Sequence, residues 1–252
     1  MQGNPFTAGR PERARKSSSS IEAEAGEAFR QFILQPEFPC VGAKAAFNSE
    51  SYALSVYGEL GAADSTAELS GALYDFTRSE IRQASEYATF VAIFAGPPAL
   101  DEIAFEDLVW RQLNQLHELD APHFGWDPSV RSDPADPHFS FSFAGQALYV
   151  IGMHPNSSRA ARRFRWPTLV FNPHEQFERL RADGKWKRMQ ETIRARDLEL
   201  QGTINPMLSD FGETSEARQY SGRVVDEDWR APFAVKQSGK APPKRGGCPF
   251  AH

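Results

Sequence analysis

The stretch "HFSFSFAGQALYVIGMH", His138 to His154, reads as two strands joined by a short turn. Phe139, Phe141 and Phe143 alternate with polar neighbours, the period of a strand whose two faces differ. "AGQ" then turns the chain, and "ALYVIGMH" resumes an apolar run, so the pair predicts a hairpin. "PTLVFN", 167–172, predicts a further strand. Directly after it "NPHEQFERLR" opens a helix, with Asn172 as N-cap, Pro173 in the first turn and Glu175 completing a box-like pattern.

Working outward, "YATFVAIFAG", 87–96, is a continuous apolar run, as expected of a strand buried on both faces. Tyr52, Leu54 and Val56 alternate over a shorter strand at 52–57. Helical spacing predicts helices over 20–34 (Ser19 and Glu22 as capping box), over 64–85 through Leu69, Leu73, Phe76 and Ile81, and over 101–119 through Phe105, Val109, Leu113 and Leu116. The loop 120–137, rich in Pro and Asp, is long enough to suggest a functional role. Hairpin, further strands and helices together point to an α+β class: a single domain with a mainly antiparallel sheet covered by helices. Residues 1–18 and 231–252 lack periodicity and read as a disordered N-terminal tail and a flexible C-terminal tail, leaving 19–230 as the domain.

Composition sets limits on what this domain does. Of 252 residues, 40% are hydrophobic and 24% charged, which suits a soluble globular protein with a sizeable core. No apolar run approaches the roughly 20 residues of a membrane helix, and no apolar segment follows the basic N-terminus as in a secretory signal. Two cysteines, Cys40 and Cys248, make no disulfide framework, and a cytoplasmic location is expected. The net charge of −5 hides two basic ends around a strongly acidic body, which favours cationic small molecules over nucleic acid. There is no Walker loop, no G-x-G-x-x-G and no G-x-S-x-G, and His117, His123 and His138 have no metal-ligand spacing.

Three places carry potential chemistry. Cys40, in "EFPCVGAKAAF", precedes small residues and a helix start, where backbone N–H groups and the helix dipole favour a thiolate. It equally suits a buried packing cysteine. In "GMHPNSSRAARRFRWP", His154 ends a strand, and Arg159, Arg162 and Arg163 share a face if the segment is helical. Such a face could clamp carboxylates or phosphates, or be merely solvated. His174 is either a first-turn residue pointing to solvent or an imidazole facing a pocket. The terminal Cys248-Pro249-Phe250 reads as a weak or regulatory feature of the tail.

Three blocks, "FPCVGAKAAF", the run from "HFSFSF" to "FERLR", and "INPMLSDFGETSEARQYSGR", together resemble the YqcI/YcgG family over roughly residues 25–230. That family includes haem-dependent N-hydroxylases of guanidine-containing amino acids. The resemblance implies a haem b monooxygenase that N-hydroxylates a guanidine or amine of a small, arginine-like substrate. Cys40 is then the implied axial ligand to iron, since thiolate pushes electron density to the metal, with His154 as the competing ligand. Arg159, Arg162 and Arg163 become candidates for the haem propionates or a substrate carboxylate, His174 and Glu175 for catalytic roles, and Glu175 or Glu178 for holding the substrate cation. Electrons would come from a separate donor protein, or peroxide would replace O2. No membrane or nucleic-acid partner is implied, and a homodimer is left open. Two other classes stay in view: a non-catalytic haem-binding sensor or carrier, and a cofactor-free protein that binds phosphate or carboxylate on the arginine segment.

Overall fold

A fully apolar strand must be covered on both faces, and the chain arranges this around "TFVAIFAG". In the computed structural model, which describes residues 3–6, 18–98 and 100–236, this segment is β2 (Thr89–Gly96), buried along all but one of its residues. It pairs in parallel with β1 (Tyr52–Glu59) and antiparallel with β5 (Thr168–Pro173). Next come β4 (Gln146–Met153) and the edge strand β3 (Phe141–Phe143), giving the order β1-β2-β5-β4-β3. Every pairing except β1 with β2 is antiparallel. The fold is therefore α+β with a mostly antiparallel sheet.

A parallel β1–β2 pair needs a long crossover, and α3 (Ala63–Thr77) with α4 (Glu80–Ala84) supplies it. The spacing from 64 to 85 suggested one helix; there are two. The Ser79 hydroxyl accepts from the backbone N–H of Arg82 and starts a new helix, which shifts the helical phase. Leu69, Leu73 and Phe76 accordingly face the core, whereas Ile81 is 38% exposed. Helices α3 and α5 (Glu102–Asp120) cover one face of the sheet, with Phe105, Val109, Leu113 and Leu116 fully buried. The other face meets α1 (Ser18–Leu34), which packs Ala25, Phe29 and Ile33 against Val91, Ile93 and Val170.

The hairpin forms, but its first strand is shorter than the alternation in "HFSFSF" suggests. Phe139, Phe141 and Phe143 are buried, and so are Ser140 and Ser142 between them. The cause is the 120–137 loop, which folds over the serine side. Asp127 donates its N–H to the Ser142 hydroxyl and accepts from the N–H of Ala147. That loop is thus a structural cover. The turn itself uses Ala144 and Gly145, both at positive φ (54° and 74°), and Asp120 holds the Ala144 N–H. Two consecutive positive φ values match the right-handed twist of the flanking strands.

Both ends of the described chain are anchored. Phe6 lies against Tyr74, Phe124 and Phe143. Phe233 lies within 6.2 Å of Trp110, His117, Trp126, Phe139 and Phe141. The segments expected to be tails are thus docked at 3–6 and 231–236; the rest of both, including Cys248-Pro249-Phe250, lies outside the described residues. Among the described residues no helix is long and apolar enough to cross a membrane.

Candidate functional site

The residues on the α1 side of the sheet do not close completely. Between the sheet, α1, α2 (Val41–Asn48), α6 (His174–Ala182) and α7 (Trp186–Gln201) lies a cavity of about 270 Å³. That size is near the lower end for small-molecule sites. Its walls are largely apolar: Phe29, Phe38 and Phe47 on the helical side, Val91, Ile151, Met153 and Val170 from the sheet. Helix α7 closes it. Trp186, Met189, Gln190, Ile193, Arg194 and Asp197 all line the cavity at helical spacing.

Cys40 is the N-cap of α2 and lines this cavity. Its Sγ accepts the N–H of Ala43 at 3.4 Å. Burial pushes the thiol pKa up, and the N–H groups of Ala43 and Gly42 only partly offset it. The helix start therefore positions the sulfur, while desolvation keeps it a thiol until a cation draws off the proton. Gly42 keeps the space beside it open: an added Cβ would sit 4.0 Å from the sulfur and 3.6 Å from the Tyr87 ring.

The basic segment differs from the helix that its spacing suggested. Residues Ala160–Arg162 form a single 3-10 turn, so the three arginines diverge. Arg159 turns to α7, donating to Asp197 at 2.5 Å and to Thr203. Arg162 donates to the carbonyls of Gly152 and Tyr220 and lies against the Tyr149 hydroxyl. Both line the cavity. Arg163 does not; it caps the carbonyls of Ser157 and Ser158. His154 is buried on the opposite face of the sheet, stacked on Phe105 at 4.3 Å, and is absent from the cavity wall. Strand alternation imposes this: Ile151 and Met153 face the cavity, and the even positions of β4 face α5.

At the start of α6 the expected roles separate. Asn172 is not the N-cap; its amide reaches the Tyr149 carbonyl, and Pro173 stands at the cap without a side-chain bond. Glu175 points to the surface, paired with Arg82 at 2.8 Å and with Arg179, and these partners lower its pKa. His174 points inward, buried against Phe211 and lining the cavity. Glu178 is about half exposed and pairs with Arg181.

Two cavity residues escaped the sequence. Glu216, buried in a short 3-10 turn, accepts from the Tyr220 hydroxyl at 2.7 Å. Burial raises its pKa to about 8. Arg194, on α7, faces the same space with no ion-pair partner among the described residues. The spacing of Trp186, Met189 and Ile193 was the available sign of α7; its polar composition concealed it. Nothing in the spacing around Glu216 distinguished it from other acids.

The site is a partly open, mostly apolar cavity with a thiol on one wall, arginines at the 3-10 turn and α7, and a buried carboxyl beside an imidazole. Together with the sheet it defines an α+β domain with a cavity on the α1 side. The chain belongs to the YqcI/YcgG family, whose model matches residues 29–234. Among similar proteins are the uncharacterised protein YcgG of Bacillus subtilis strain 168, 28% identical over 193 residues, and YqcI of the same organism, 28% identical over 194 residues. Each match covers 73% of this chain and 75% of the relative. No solved structure matches.

Proposed function

We propose that the protein is a haem-dependent monooxygenase that N-hydroxylates a guanidine or amine group of a small, amino-acid-like substrate. The observation that carries the proposal is the position of Cys40, whose sulfur lines an apolar cavity with guanidinium groups at its edge. That donor set suits the group: a soft sulfur for iron, arginine forks for carboxylates, and aromatic and aliphatic walls for a flat macrocycle. Among the described residues no cluster of three or more His, Cys, Asp or Glu could hold a metal ion without such a macrocycle.

Cys40 would ligate the iron, and Arg162 and Arg194 would hold carboxylates, Arg159 being committed to Asp197. Bound haem supplies O2 activation and oxygen insertion into the N–H bond. The chain's own contribution is separate. Phe29, Phe47, Val170 and Met189 line the cavity and would keep water from a bound ligand. The N–H of Ala43 fixes the sulfur. His174 and Glu216 place groups that exchange protons on the wall. Electrons would come from a separate donor protein, or peroxide would serve instead.

The test is the absorption spectrum of the full chain supplemented with haem, reduced and exposed to carbon monoxide. Thiolate ligation places the main band far to the red of histidine ligation. Cys40→Ser should abolish that band while leaving the fold intact by circular dichroism. A histidine-type band that survives Cys40→Ser and disappears in His154→Ala would refute the ligand assignment. Haem binding without consumption of any guanidine or amine would favour a sensor or carrier, and no Soret band at all would exclude both.

A further inference from the structure

A buried carboxyl group without a cationic partner is costly and usually neutral. Glu216 is such a group. Its Oε1 accepts from Tyr220, whose hydroxyl in turn accepts the N–H of Phe141 at 2.9 Å. Its Oε2 faces His174, with 3.9 Å between Oε2 and Nδ1. That distance exceeds a hydrogen bond, and Nδ1, although buried, has no partner. The Oε1 of Gln176, also buried on the cavity wall, likewise has none. Buried acceptors left without donors on a cavity wall, beside a carboxyl with no cation in contact, point to a ligand that brings N–H donors and positive charge.

His174 connects this corner to the surface. Its Nε2 lies 3.4 Å from Oε1 of Glu178, a side chain 49% exposed, while the imidazole itself is only 5% exposed. Burial lowers the imidazole pKa, so the ring is neutral, with Nε2–H directed at Glu178 and Nδ1 left as an acceptor. The charged and titratable groups around the two residues are Glu178 and Arg181 on α6, Asp127 from the covering loop, and Tyr220 and Tyr149. None of them is a cation in contact with Glu216.

We propose that Glu216 is the seat for a ligand's guanidinium or ammonium group, and that the proton it loses on binding leaves through His174 to Glu178 and water. This rests on the cavity being the substrate site. The proton balance is simple. The Glu216 carboxylic acid gives its proton to Nδ1, the Nε2 proton passes to the Glu178 carboxylate, and one proton reaches solvent for each cation bound. A small rotation of the imidazole closes the gap. Nothing is oxidised or reduced. Below the carboxyl pKa of about 8, cation affinity must rise with pH, by up to tenfold per pH unit, and level off above it.

The experiment is isothermal titration of the full chain, without reductant, with L-arginine, L-lysine and the neutral L-citrulline, in buffers of different ionisation enthalpy. Expected at pH 7 are binding of at least one cation, at least tenfold weaker binding of citrulline, and release of nearly one proton. Glu216→Gln, which mimics the protonated acid and should fold, should weaken the cation at least tenfold and abolish proton release. Glu178→Gln should slow the appearance of the proton in stopped flow with an indicator dye. Should Glu216→Gln not fold, the pH dependence of the wild-type arginine affinity replaces it. Binding of neither cation, equal binding of citrulline, or an unaltered Glu216→Gln overturns the seat; an unslowed Glu178→Gln overturns the exit route. The Soret band recorded on the same samples separates the two proposals. Lost haem with intact cation binding refutes only the monooxygenase, and intact haem without cation binding refutes only the seat.

Discussion

Asp197→Ala should destabilise the fold by about 3–5 kcal/mol, the cost of leaving a buried charge without its partner. Asp197 and Arg159 are both almost fully buried, and their contact is 2.5 Å long. The same carboxylate oxygen accepts the N–H of Asn205 at 2.9 Å, so the truncation also strands a backbone donor. The oxygens of Thr203 are all that would remain for the guanidinium. An exposed pair would cost less than about 1 kcal/mol, so the two cases are well separated. For a chain of this size each kcal/mol shifts Tm by about 2–4 °C, which puts the expected loss at about 6–20 °C. Urea titration followed by circular dichroism measures the free energy, and a thermal melt gives Tm. The double variant Arg159→Met, Asp197→Leu should recover most of the loss, because it removes both charges and fills the space. A single Asp197→Ala variant within about 1 kcal/mol of wild type would refute the pair as the anchor of α7 over the cavity.

Gly222→Ala should cost about 2–4 kcal/mol, from a left-handed backbone and from overpacking. Gly222 has φ +87°, and a Cβ there would come within 2.6 Å of Cδ of Arg162; unchanged urea stability would count against this packing. Burial raises Asp120 to about 7, so the folded chain holds a proton that the unfolded chain releases above about pH 4. Stability should therefore fall as pH rises from about 4 to 7, by up to about 1.4 kcal/mol per pH unit for this group. Asp120→Asn, which keeps an acceptor for the Ala144 N–H, should flatten that slope in urea titrations at pH 5 and pH 7; a slope identical to wild type would show the carboxyl to be solvated.

What was legible in the sequence was local. The apolar run of β2, the hairpin and the faces of α3 and α5 follow from period and turn chemistry, because one buried face imposes one period. The same logic placed Cys40 at a helix start, where the structure finds it as the N-cap of α2. The failures share a cause. Arg159, Arg162 and Arg163 were grouped as if on an α-helix, but a 3-10 turn sends one to Asp197, one to the carbonyls of Gly152 and Tyr220, and one to the surface. Glu175 and His174 are neighbours in sequence, yet only His174 faces inward, because adjacent helical positions point about 100° apart. His154 and Met153 are separated by a sheet for the analogous reason in a strand.

The sequence by itself therefore determined the class of fold, the family and the place of Cys40 at a helix start. Which polar groups meet was decided only by tertiary structure. Glu216 and His174 lie 42 positions apart in the chain, and their approach depends on how the 3-10 turn that carries Glu216 and helix α6 dock on the sheet. Burial then did what no local pattern encodes: it stripped water from a carboxyl, an imidazole and a thiol around one cavity and set their protonation.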